Sequence, residues 1–146
     1  MLPIKKILAP IAFDQAESDS LDYAVRLANQ VGAAVCVLNV YPIPQYSFPD
    51  GTIITSAQLA AQLSETAQKH LDEAVKTRQG RGVELSSVLV TGNPWEEIVR
   101  VAKSENADLV VMGTHGRRGM SRALLGSVAE QVLRTSTVPV LVVRGS

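Results

Sequence analysis

With 146 residues, 46% of them hydrophobic, and 14 Lys and Arg set against 14 Asp and Glu, the chain fits one domain with a sizeable core and no net charge. The balance excludes a protein that gathers nucleic acid or anionic lipid through its overall field, so any anion site has to be local. The single cysteine, Cys36, excludes an internal disulfide framework and points to a reducing, cytoplasmic setting.

Lys5-Lys6 precede an apolar stretch that Pro10 breaks and Asp14 ends, too short for a secretion signal, and no segment approaches the roughly 20 apolar residues of a membrane span. A first strand is expected at Lys5–Ile11. Leu21, Ala24, Val25, Leu27, Ala28 and Val31 then recur at helical spacing, with Ser18 or Ser20 as N-cap and Gly32 as the stop. A second strand is expected at Ala34–Tyr41. Tyr41–Thr55 reads as one long irregular stretch holding Pro42, Pro44 and Pro49; through Tyr46 or Phe48 it is either a lid or partner surface, or else a plain connector. The second helix, Ser56–Gln79, carries Leu59, Leu63, Ala67, Leu71, Ala74 and Val75 on one stripe and stops at Gly80. After a third strand at Val83–Val90, Asn93-Pro94 opens a helix whose Trp95, Ile98, Val99 and Ala102 face inward. The fourth strand is Asp108–Gly113, the last helix Ser127–Ser136, and the fifth strand Val138–Val143.

Strand and helix signals alternate, which is the mark of βαβ units and a parallel sheet. Leu109–Met112 and Val140–Val143 are apolar throughout, as suits strands covered on both faces. The expected fold is therefore α/β: a single domain over residues 1–146 with an open five-stranded parallel sheet, order 3-2-1-4-5, helices on both faces, Rossmann-like.

In such a sheet ligands bind beyond the carboxyl ends of the strands, where the strand order reverses. That point lies between Pro10–Asp14, after the first strand, and Met112–Gly116, after the fourth. Gly113 and Gly116 read as turn residues that let main-chain N–H groups converge on an anion. Gly126 and Ser127 stand at the start of the last helix, where unpaired N–H groups and the helix dipole favour negative charge by about 0.3–1 kcal/mol. Arg117, Arg118 and Arg122 lie between them. Each feature has a plainer reading: Ser127-x-x-Glu130 is also a capping-box pattern, the arginines are also what a solvated loop contains, and His115 either orients a phosphate or is a loop histidine. His70 and Trp95 read as structural. No GK[ST] loop occurs, and no Gly-x-Gly-x-x-Gly follows the first strand. Hydrolysis would need a base to align water, and Asp14, His115 and Glu130 are the candidates; binding with at most slow turnover is the expectation.

Gly113-x2-Gly116-x9-Gly126-Ser127, set between Val110-Val111-Met112 and Ser127-Val128-Ala129-Glu130 and followed by Val138-Pro139-Val140-Leu141-Val142-Val143, resembles the ATP-binding branch of the universal stress protein family. Ile7-Leu8-Ala9-Pro10, Leu27-Ala28 with Gly32-Ala33, and Gly92-Asn93-Pro94 extend the resemblance over the whole chain. It implies an adenine nucleotide alpha hydrolase-like fold and a nucleotide-binding regulatory protein of the stress response, holding ATP with Mg2+ or Mn2+. By the resemblance, main-chain groups around Met112, Gly113, Gly116, Gly126, Ser127 and Val128 hold ribose and phosphates. The adenosine half is met from the end of the first strand (Pro10, Ala12, Asp14) and near Val40; His115 and Arg117 complete the candidate set. One residue departs from the pattern. The acidic residue usual two positions after the proline is Ala12 here, with Asp14 two residues later. A lost charge-assisted hydrogen bond is worth about 1.5–3 kcal/mol, roughly ten- to hundredfold in affinity. The resemblance further implies a homodimer through the Val138–Val143 edge strand. The alternative is a dimeric interaction module with a vestigial nucleotide site and an unidentified regulatory protein partner; neither reading calls for nucleic acid or a membrane.

Overall fold

In the computed structural model the described residues are 3–12, 15–41, 46–47, 49–51, 53–54, 57–114 and 125–144. Along the chain they form β1 (Lys6–Ile11), α1 (Gln15–Val31), β2 (Ala34–Tyr41), β3 (Tyr46–Ser47), β4 (Ile53–Ile54), α2 (Ala57–Lys76), β5 (Leu85–Thr91), α3 (Pro94–Ser104), β6 (Leu109–Gly113), α4 (Ser127–Thr135) and β7 (Val140–Val143). The main sheet is parallel and five-stranded in the order β5-β2-β1-β6-β7, which is the expected 3-2-1-4-5 counted over its own strands.

Successive residues of a strand point to opposite faces, and here both faces are covered. Ile7 and Ala9 of β1, with Val35 and Val37 of β2, pack on α1 and α2 through Ala24, Val25 and Leu71. Leu8, Cys36 and Leu38 pack on α3 and α4 through Ile98, Val101, Ala129 and Val132. That two-sided burial explains why the strands read as unbroken apolar runs. Val101 belongs to the buried stripe of α3 beside the expected Ile98 and Ala102.

The helix stops follow their residues. Gly32 at φ +75 ends α1, and the N–H of Ala33 returns to the carbonyl of Ala28 at 2.9 Å, a Schellman closure. Pro94 occupies the first turn of α3 behind Asn93. The start of α1 differs from expectation: the helix begins at Gln15, so Ser18 and Ser20 lie inside it, and Ser20 is only 1% exposed. Its first turn is polar, and the apolar stripe that marks the helix begins a turn later. Strand five starts at Val140 because the N–H of Val138 goes to Ser136 Oγ at 3.0 Å instead of to a ladder. The stretch expected to be irregular contains the antiparallel pair β3–β4, with Tyr46 opposite Ile54 and Ser47 opposite Ile53. Pro49-Asp50-Gly51, with Gly51 at φ +90, supplies the turn chemistry between them. Phe48 lies outside the described residues, as does the side chain of Tyr46.

Candidate functional site

β1 and β6 are neighbours at the centre of the sheet, yet they stay paired only through Ile7 with Leu109 and Leu8 with Val110. Beyond that, β1 continues against β2 as far as Ile11 opposite Asn39, and β6 continues against β7 as far as Gly113 opposite Val143. The β1–β6 register thus ends before either strand does, at the point where the strand order reverses.

A cavity of about 470 Å³ opens there, within the range typical of ligand sites. Pro10, Ile11 and Ala12 form its wall on the β1 side and Val40 its wall on the β2 side; Met112, Gly113 and Thr114 come from the end of β6. Pro94 and Ile98 of α3 and the start of α4, Gly126 to Ala129, close the other side. Of the expected binding residues, Pro10, Ala12, Val40, Met112, Gly113, Gly126, Ser127 and Val128 are thus brought to one cavity. Asp14, His115, Gly116 and Arg117, like Arg118 and Arg122, lie outside the described residues. Ile11, Pro94, Ile98, Thr114 and Ala129 line the cavity as well, and the glycine spacing gives no sign of them. For α3 a signal did exist: in a parallel sheet every crossover helix starts at the carboxyl edge, so its first turn faces the same crevice.

Among the described lining residues none carries a charged side chain; they offer main-chain groups, two hydroxyls and apolar contact. Gly126 is the N-cap of α4, at φ −65 and ψ 154, and its carbonyl accepts from the N–H of Glu130 at 2.9 Å. Its own N–H donates to the carbonyl of Thr114 at 2.7 Å. The amides of Ser127, Val128 and Ala129 are the first-turn donors for which a helix has no acceptor of its own, and all three residues line the cavity. This placement does not form the capping box that Ser127-x-x-Glu130 suggested. A capping box needs serine at the N-cap, whereas Ser127 stands one position later, and the Glu130 carboxylate accepts from Arg134 at 2.8 Å.

Gly113 differs from the expectation that it turns the chain, Gly116 lies outside the described residues, and Gly126 stands at the start of the last helix as expected. Gly113 ends β6 in register with Val143, and Gly126 has a φ any residue adopts. Positive φ is confined, among the described glycines, to Gly32, Gly51, Gly80, Gly82 and Gly92. At Gly113 and Gly126 the cavity lining lacks a Cβ.

Two further contacts involve neighbours of the lining residues. Asn39 Nδ2 donates to the Ile11 carbonyl at 2.8 Å, tying the end of β1 to β2. In the first turn of α3, Arg100 donates to both carboxylate oxygens of Glu97 at 2.8 and 3.2 Å, and this hydrogen bonding holds the Glu97 carboxyl below the usual carboxylate range. Among the described residues no group of three or more His, Cys, Asp or Glu side chains is placed to hold a metal ion.

Residues 3–144 match the family model described as Universal stress protein family. Universal stress protein MJ0531 of Methanocaldococcus jannaschii is 34% identical over 142 residues, covering 96% of this chain and 82% of that protein. The solved structure of MJ0577, from the same organism, superposes with a TM-score of 0.82 at 28% identity and covers 99% of both chains. A universal stress protein from Archaeoglobus fulgidus, solved in complex with dAMP, shares the fold with a TM-score of 0.67 at 22% identity over 97% of this chain and 98% of that one. The chain belongs to the universal stress protein family.

Proposed function

We propose that the cleft between β1 and β6 binds ATP or a related adenine nucleotide, and that the chain acts as a nucleotide-dependent regulatory protein of the stress response. The observation that supports this reading is the convergence, in one cavity, of three first-turn residues of α4, whose amides have no acceptor within the helix, with two positions that lack a Cβ. Such a surface suits an oligophosphate: it offers N–H donors and the positive end of a helix, and it lets the anion approach the main chain. The apolar walls at Val40, Pro94, Ile98 and Met112 suit a base and a ribose. The A. fulgidus protein solved with dAMP carries an adenine mononucleotide on the same fold.

A divalent cation, Mg2+ or Mn2+, would enter with the phosphates, since the described side chains around the cavity offer no carboxylate to hold one. Retention of the nucleotide with at most slow turnover is the proposed behaviour, with Asp14, His115 and Glu130 the candidates for a base. Asp14, His115, Gly116 and Arg117 remain part of the proposed set by virtue of the glycine motif. Ala12, which lines the cavity, brings no carboxylate to the adenosine half, so phosphate contacts should dominate affinity.

The test is a thermal-shift series with ATP, ADP, AMP and GTP, with and without Mg2+. Ligand at about 100 times its dissociation constant should add roughly 2.7 kcal/mol of stability. An unchanged midpoint with every nucleotide would leave the second reading, an interaction module with a vestigial site. That reading draws on β7, whose residues Val140 to Val143 are all half-buried at one end of the main sheet. In both readings residues 1–146 form one domain and two copies meet through the Val138–Val143 segment. A monomer by sedimentation at micromolar concentration would rule that assembly out.

A further inference from the structure

Pro10 stands where sheets normally exclude proline. It lies in β1, the central strand of five, with a neighbour on either side, and a proline there removes a ladder donor.

The direction in which that donor is missing follows from two hydrogen bonds at the start of the strand. The carbonyl of Lys5 accepts from Ala34 on the β2 side at 2.9 Å, and the carbonyl of Lys6 accepts from Asp108 on the β6 side at 2.8 Å. Main-chain groups alternate sides along a strand, so the odd-numbered residues of β1 bond to β2 and the even-numbered ones face β6. Residue 10 therefore turns its backbone nitrogen towards β6. After Leu8 opposite Val110, the next step of a parallel ladder would be an N–H at position 10 donated to the carbonyl of Val111. Proline has no such N–H, and the β1–β6 register ends at that pair. The β1–β2 ladder, which draws on the odd-numbered residues, runs through Pro10 opposite Leu38 to Ile11 opposite Asn39 without interruption.

We infer that Pro10 is a positioning residue: by withholding one main-chain donor it ends the β1–β6 ladder three pairs short of Ile11 and Gly113 and so holds the crevice open. It is also part of the cavity wall, but its decisive contribution is the interrupted ladder. The consequence for affinity rests on the nucleotide-binding reading above; the consequence for the ladder does not.

The experiment is Pro10→Ala in the full chain, with Pro10→Val as a second variant should the alanine protein fail to fold. Both supply the missing N–H. Through-hydrogen-bond NMR coupling between the nitrogen of residue 10 and the carbonyl carbon of Val111 reads the new contact directly, and amide exchange at residue 10 reads its protection. The expected result is a detectable coupling, slow exchange, a ligand-free melting temperature no lower than that of the wild type, and ATP binding weaker by about tenfold. A purely structural proline would instead lower the melting temperature when replaced. Absence of the coupling together with fast exchange would overturn the inference, and so would a formed bond that leaves ATP affinity at the wild-type value. A wild-type protein that binds no nucleotide would sink the functional reading alone, because the coupling still decides whether Pro10 interrupts the ladder.

Discussion

Asn39 and Ile11 are joined by a hydrogen bond of 2.8 Å from Nδ2 to the main-chain carbonyl, while Asn39 Oδ1, on a residue only 3% exposed, has no partner. The position thus has a use for a donor and none for an acceptor. A carboxylate there would place charge against the Ile11 carbonyl in a desolvated setting, which should cost Asn39→Asp roughly 3 kcal/mol at neutral pH. Burial raises the folded-state pKa of such a group above its unfolded value of about 3.9. The deficit relative to wild type should then vanish below the unfolded value and grow as pH rises through the folded one. Urea denaturation of both proteins across that range checks it; a pH-independent deficit would refute the assignment.

Two glycines with positive φ should respond unequally to alanine. At Gly32, φ +75, an added Cβ meets nothing within 4 Å, so only the left-handed backbone penalty of about 1 kcal/mol applies. At Gly92, φ +144, the Cβ would lie 3.0 Å from Glu97 Cγ, and Arg100 holds that side chain in place. Gly92→Ala should cost about 2–3 kcal/mol and disturb the first turn of α3, where Pro94 lines the cavity. Chemical denaturation ranks the two; equal losses would mean that Glu97 yields freely.

Gly113 and Gly126 should behave in the opposite way. Neither needs a glycine backbone, so Gly113→Ala and Gly126→Ala should fold with losses of about 1 kcal/mol or less, as in other conformationally compatible replacements. ATP titration by calorimetry should nonetheless show weaker binding in both, because each added methyl projects from a cavity-lining position. Unfolded variants would show that these glycines serve the fold first.

Cys36 gives a pH signature at the other end of the sheet. Its Sγ lies 3.8 Å from Glu105 Oε1, and Lys6 Nζ pairs with the same oxygen at 3.0 Å. Burial is the main cause that pushes the thiol above its ordinary value of 9.0; Glu105 adds to the rise, while the Ser86 hydrogen bond and Lys6 oppose it. With the folded value raised, the contribution to stability is complete below 9.0 and is lost as pH climbs through the folded value. The gap in urea midpoint between wild type and Cys36→Ala should therefore shift against the wild type above pH 9.0. Thiol reagents should leave the folded protein unmodified until it is unfolded.

Much of this architecture can be read from residue order because local and long-range signals agree. The apolar runs at Ile7–Ile11, Val35–Leu38 and Leu109–Met112 call for a two-sided sheet, and Gly32 and Pro94 mark helix ends by mechanisms that operate without tertiary help. The start of α1 is harder, since Gln15 to Asp19 carry no apolar stripe. The β3–β4 pair escapes periodicity because its two-residue strands are too short to show one, although Pro49-Asp50-Gly51 spells the turn. The cavity is half legible. Glycine spacing marks Gly113, Gly126 and Ser127, but the register that separates β1 from β6, and the placement of Ser127 one residue past the N-cap, are geometric facts that depend on neighbouring strands.

The Thr114–Gly126 hydrogen bond carries a further consequence, for how such a protein can vary. It fixes both ends of the intervening segment to each other through backbone alone, so the amides at the head of α4 keep their place whatever side chains lie between. Exchanges at the positions between the two anchors that the glycine motif leaves open should therefore retune specificity with the start of α4 still anchored, which makes those positions the natural place for descendants of one ancestral sequence to diverge.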